Sequence, residues 1–144
     1  MDGYFAKGTG YTAQSYLHGS NWKKFLKGVE KKRAEGFSVI DVEYGDGEWV
    51  GVLAKGTGFT DQVIVVNRSW EDFRKSIKGY WEKGYALTEF EAGGGQWVGL
   101  FAKNTGSADQ SYVSLDNWSG MRKVICDRWD DDYHLIKLDY GEGR

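Results

Sequence analysis

One stretch occurs three times in this chain: AKGTGYTAQSY at residues 6–16, AKGTGFTDQVI at 54–64 and AKNTGSADQSY at 102–112. Lys7, Lys55 and Lys103 are separated by 48 residues, and so are Gln14, Gln62 and Gln110; three such periods account for all 144 residues. A period of this length marks a repeated supersecondary unit, so a local assignment must hold in every copy. The frame needs no gap. Trp22, Trp70 and Trp118 align, as do Phe25, Phe73 and Met121, and then Val29, Ile77 and Ile125. Trp49 matches Trp97, with Met1 at that position in the first copy.

Read within one copy, residues 49–55 mix aromatic, aliphatic and glycine residues as a strand does, and residues 62–67 form a second, β-branched strand. The glycines of segment 56–61 supply the positive φ that a turn requires, so the two strands read as a hairpin with a long tip. Ser69 is a natural N-cap, and Glu71 and Asp72 suit the helix dipole in the first turn. Trp70, Phe73, Ile77 and Trp81 share one helical face, and Gly84 ends the helix. Residues 85–92 alternate as a third strand, and 93–96 turn into the next Trp97. The expected class is α+β: three gapless 48-residue β-β-α-β repeats (1–48, 49–96 and 97–144) within a single domain. Residues 133–140 are a strand of the last copy that lacks a successor, and residues 3–7 lack a predecessor. Closure of a pseudo-threefold ring, with nine mainly antiparallel strands and three helices, would cover both edges.

Composition narrows the function classes. A formal charge of −2 gives no field to gather nucleic acid or an anionic membrane. The longest aliphatic run, residues 63–66, is far too short to span a bilayer. Cys126 is the single cysteine, so no intrachain disulfide can form, and the opening MDGYFAKG has no apolar leader. A cytoplasmic or nuclear protein, not a secreted one, is expected. The seven tryptophans can serve packing or recognition.

The combination of Trp, A-K-[GN]-T-G, Gln four residues past that glycine, and a Trp-led helix ending in W-E-K-G-Y resembles a known repeat. It is similar to the Trp-containing repeats in the C-terminal extension of plant casein-kinase-I-like nuclear kinases, and all three copies share the likeness. The resemblance implies a non-catalytic accessory module that mediates contacts. No kinase domain accompanies it here, so no phosphoryl transfer is implied.

The candidate binding residues are those that recur near the tips: Lys7, Thr9, Tyr11 and Gln14; Lys55, Thr57, Phe59 and Gln62; Lys103, Thr105 and Gln110. Thr and Gln can hydrogen-bond a ligand, although backbone satisfaction in a wide turn asks for the same groups. Lys is the stronger functional candidate, because a turn needs no ammonium group. Trp22, Trp70 and Trp118 belong to the apolar helix stripe, and Trp49 and Trp97 to core packing or to stacking on a sugar or peptide. Glu43, Glu91 and Asp139 share one repeat position and read as a solvated sheet face rather than a cation site. His18, His134 and Cys126 break the repeat and stand at no metal-ligand spacing. GDGEWVG at residues 45–51 is a hairpin turn, not a dinucleotide fingerprint. The lysines of the first helix (Lys23, Lys24, Lys27, Lys31 and Lys32) and Arg33 form a basic face that the other copies lack.

Catalysis calls for one asymmetric constellation of acid, base and nucleophile, whereas the polar residues here recur in threes. The expectation is therefore a non-enzymatic binding or interaction module with three quasi-equivalent surfaces and no cofactor or metal. Its expected partner is a protein or peptide; a carbohydrate is the alternative, and neither nucleic acid nor membrane is expected. An enzyme built on His18, Cys126 or His134 is the third reading.

Overall fold

The computed structural model describes residues 2–139. The chain divides into two compact units, one running through Gly106 and the other beginning at Ser107. The first unit holds β1 (Ala13–Gly19), α1 (Trp22–Ala34), β2 (Ser38–Gly45), β3 (Glu48–Lys55), β4 (Thr60–Asn67), α2 (Trp70–Glu82), β5 (Ala86–Gly93) and β6 (Gln96–Lys103). The second holds α3 (Trp118–Asp130). The class is α+β, with six strands among the described residues in two antiparallel sheets, ordered β1-β3-β2 and β4-β6-β5.

Pairing corrects the expected hairpin. β3 does not pair with β4 across residues 56–59; it lies between β1 and β2, while β4 pairs with β6. The hairpins form instead at Asp46-Gly47 and Gly94-Gly95. There, both turn residues have positive φ (50° and 76°; 57° and 75°), the two-residue geometry whose twist matches that of the flanking strands. Each sheet therefore takes two strands and a helix from one 48-residue copy and its central strand from the next. β2 and β5 also carry a bulge at the same repeat position, Ile40 and Thr88.

Nor do the described residues form nine strands in a closed ring. Residues 3–7 and 133–139 carry no strand, and Tyr140 lies outside the described residues. Residues 107–115, where the third copy should repeat β1 and β4, carry none either.

The helices follow the capping signals. Asn21, Ser69 and Asn117 accept a hydrogen bond from the backbone N–H three residues on, satisfying one open donor of the first turn. At the C-terminus of α2, Gly84 N–H donates to Trp81 O and Tyr85 N–H to Tyr80 O, with Gly84 at φ 85°. This is the Schellman pattern, and the Tyr80–Tyr85 ring contact at 5.4 Å is its hydrophobic clasp.

Each helix of the first unit lies on the sheet face defined by alternate residues of the central strand. Trp49, Gly51 and Leu53 face α1, and Trp97, Gly99 and Phe101 face α2. The rings recur at the same spacing: Trp22–Trp49 at 4.8 Å and Trp70–Trp97 at 4.9 Å. Glycine is required beneath the phenylalanines. A Cβ on Gly51 would lie 2.9 Å from Phe25, and one on Gly99 2.6 Å from Phe73. The opposite face of β6 is buried as well. Val98 and Leu100 join Phe25, Val29, Val39, Val42, Trp49 and Leu53 in one core, which fastens the second sheet to the β2 edge of the first.

α3 contributes no buried residue. Trp118 is 62% exposed, which corrects its expected place in a core beside Trp22 and Trp70, both half-buried.

Candidate functional site

A specific polar geometry lies where β4 meets β2. Gln62 accepts a hydrogen bond from Val39 N–H through Oε1 and donates to Val39 O through Nε2, both at 2.8 Å. A carboxamide has the donor and acceptor of a peptide unit. Gln62 thus treats edge strand β2 as a neighbouring strand would, meeting the groups that an edge leaves open. Arg33 donates to Gln62 O from the end of α1, and Glu91 accepts from Tyr44 N–H at 3.3 Å near the other end of the same edge. Val98 and Leu100 supply the apolar floor. Tyr44 closes over Gly93, where a Cβ would lie 2.4 Å from its ring.

A backbone irregularity delivers Gln62 to this position. The β4–β6 register breaks between Thr60 and Val63, with Asp61 at φ 50°. A bulge of this kind re-aims a side chain out of the ladder.

The first sheet carries the same residue positions one copy earlier. Gln14 and Tyr16 lie on β1, opposite Ala54 and Val52, and Val50 and Glu43 complete the set. Gln14 is exposed, Tyr16 is 73% exposed, and Val50 and Val52 are half-buried. Val98 and Leu100, their counterparts, are 0% and 1% exposed. β1 keeps a regular ladder through Ala13 and Gln14, whereas β4 is bulged.

The other recurring residues take local roles. Thr9 and Thr57 accept from the backbone N–H of Tyr11 and Phe59 two residues on, and Thr57 also donates to Ser38. Lys55 and Lys103 do not project freely. Their ammonium groups stand 4.9 Å from the ring centroids of Phe37 and Tyr85, a cation–π arrangement. Lys7 is exposed, Tyr11 is 37% exposed and Phe59 half-buried. Gln110 is half-buried and Thr105 likewise, both hydrogen-bonded or in contact with other groups. The structure thus brings Gln62 onto Val39, while the lysines of copies two and three rest on rings.

Trp49 is 2% exposed, and the half-buried Trp97 ring packs against Trp70 and Phe73. His18 Nδ1 lies 3.3 Å from Glu48 in an exposed pair, and Cys126 is exposed. Among the described residues no cluster of three His, Cys, Asp or Glu could hold a metal ion, and no helix is long and apolar enough to cross a membrane.

Sequence reasoning missed Tyr16, Val50, Val52, Val98 and Leu100. The signal was present: residues 50, 52 and 54 are apolar on the face away from the helix, and so are 98, 100 and 102. A strand that is apolar on both faces announces burial on both.

No curated protein and no solved structure matches the chain. Residues 4–96, nearly two of the 48-residue copies and well over half of the chain, match the family model described as a domain of unknown function, DUF7477, and the chain belongs to that family.

Proposed function

We propose that the protein is a non-enzymatic interaction module whose repeated copies present quasi-equivalent surfaces for an extended polypeptide segment. The observation that carries this reading is the paired hydrogen bond between Gln62 and Val39, set over Val98 and Leu100. It is recognition of a strand edge through its backbone, the mode that gives main-chain affinity and leaves specificity to the alternate side chains. The fold itself uses the device between Gln62 and Val39. On the first sheet, Gln14, Tyr16, Val50 and Val52 hold the positions of Gln62, Ile64, Val98 and Leu100, with Gln14 and Tyr16 exposed and the two valines half-buried. The strands missing from a nine-strand ring are, in this reading, formed with a partner.

The test is a titration of the isotope-labelled protein with a peptide of residues 36–47, the sequence that occupies the internal site. Amide shifts should cluster at Gln14, Tyr16, Val50 and Val52. Gln14→Ala should weaken binding about tenfold, the worth of a hydrogen-bonded pair of about 1.4 kcal/mol, and leave the melting temperature unchanged. Absence of shifts on that face at saturating peptide would sink the reading.

A further inference from the structure

In both sheets the central strand, β3 or β6, comes from the copy that follows the helix. The same strand sequence occurs a third time at residues 3–7, where Phe5-Ala6-Lys7 stands for Leu53-Ala54-Lys55 and Phe101-Ala102-Lys103. There it forms no strand, and Tyr4 and Phe5 are 96% and 99% exposed, whereas Leu53 and Phe101 are fully buried. The helix with its flanks also occurs a third time, as α3. Phe25, Val29, Phe73 and Ile77 are buried; their counterparts Met121 and Ile125 are not, and Leu135, Ile136 and Leu138 are 48%, 85% and 49% exposed. Among the described residues, then, a central-strand sequence lies outside any sheet, and a helix with its flanking segments surrounds no central strand.

We propose that residues 3–7 of one chain insert into the second unit of another copy as the central strand of a third sheet. The two sheets already formed fix the register. Leu53 is opposite Val39 and Phe101 opposite Leu87, which places Phe5 opposite the partner's Leu135 by the 48-residue shift. Gly51 opposite Val42 and Gly99 opposite Phe90 place Gly3 opposite Leu138. Gly3 then leaves room for Met121, as Gly51 does for Phe25 and Gly99 for Phe73. The added strand is β-augmentation between identical chains. It is heterologous, because each chain donates at one end of the repeat and receives at the other. The inference rests on the function proposed above: the completed sheet would set its Leu135 edge over Gln14 and Tyr16 of the donating chain, as Val39 is set over Gln62.

Sedimentation of the full chain across a wide concentration range tests it. The wild-type mass should rise with concentration. Phe5→Asp removes the donor and the double variant Leu135→Asp, Leu138→Asp the receiver, all at exposed positions; each should stay monomeric with an unchanged circular dichroism spectrum. Mixed together, the two variants should pair into a dimer, twice the mass of either alone, and grow no further. A wild-type chain that is monomeric at every concentration overturns the proposal, as closure of residues 3–7 onto their own chain would produce. So does a mixture that fails to pair. If that monomeric chain still binds the peptide of residues 36–47, only the self-assembly is lost and the interaction reading stands.

Discussion

Gly99 has no side chain, and the ring of Phe73 stands where one would be. The nearest ring atom lies 2.6 Å from an added Cβ, with a second ring atom and Phe101 at 3.0 Å. Neither ring can swing aside, because Phe73 and Phe101 are fully buried. Gly99→Ala should therefore destabilise by about 1–3 kcal/mol, the usual cost of overpacking a closed core. Gly51→Ala should cost less, since its closest approach is 2.9 Å. Gly45→Ala serves as the control: nothing stands within 4 Å of its Cβ and its φ is not positive, so a change within about 0.5 kcal/mol is expected. Urea midpoints of the three variants check the order. Equal losses at Gly99 and Gly45 would mean that the helix does not sit this close to the sheet. The same logic explains why Asn104 can replace glycine at a tip. Gly56 and Asn104 both have positive φ, 76° and 58°, a region that asparagine tolerates better than most residues.

Among the elements, the three helices have the same length and the same kind of cap, yet they differ in what they bury. Trp70 packs on Trp97 at 4.9 Å and Phe73 at 5.9 Å, whereas Trp118 is 62% exposed. At concentrations where the chain is monomeric, Trp70→Ala should cost about 3 kcal/mol, and Trp118→Ala less than about 0.5 kcal/mol, as at other exposed sites. Chemical denaturation of each variant measures both, and similar losses would show that the third helix has a core after all. The helices were legible because their signals are local: Ser69 and Gly84 lie within the turns they cap. The strands were legible as segments but not as partners. Residues 49–55 and 62–67 looked like a hairpin because they are adjacent in sequence. In the fold, the two-residue turn at Asp46-Gly47 captures one side of β3, and β1 captures the other. A strand has only two edges, so none is left for β4. Gln62 was legible as a recurring residue, and its turn and ligand roles could not be separated in advance. Its partner Val39 lies 23 residues away, on an edge that pairing alone defines.

For the molecule as a whole, the sequence period and the folded unit share a length and differ in phase. A sheet begins in one copy at β1 or β4 and is completed in the next by β3 or β6. Inserting a second copy of residues 49–96 directly after residue 96 should therefore add one whole sheet of three strands with its helix. Far-UV circular dichroism should show the added strand content, and limited proteolysis should leave the insert intact. Rapid cleavage within the insert would mean that the copies do not fold by sharing strands. The offset also changes the arithmetic of such a chain. Copies of this kind count like fence posts, and the sheets are the panels hung between them. Two posts frame one panel and three frame two, and two sheets are what the described residues form. A gene that loses one copy anywhere inside such a run can rejoin its ends in register, because what is cut out is always a panel together with one post.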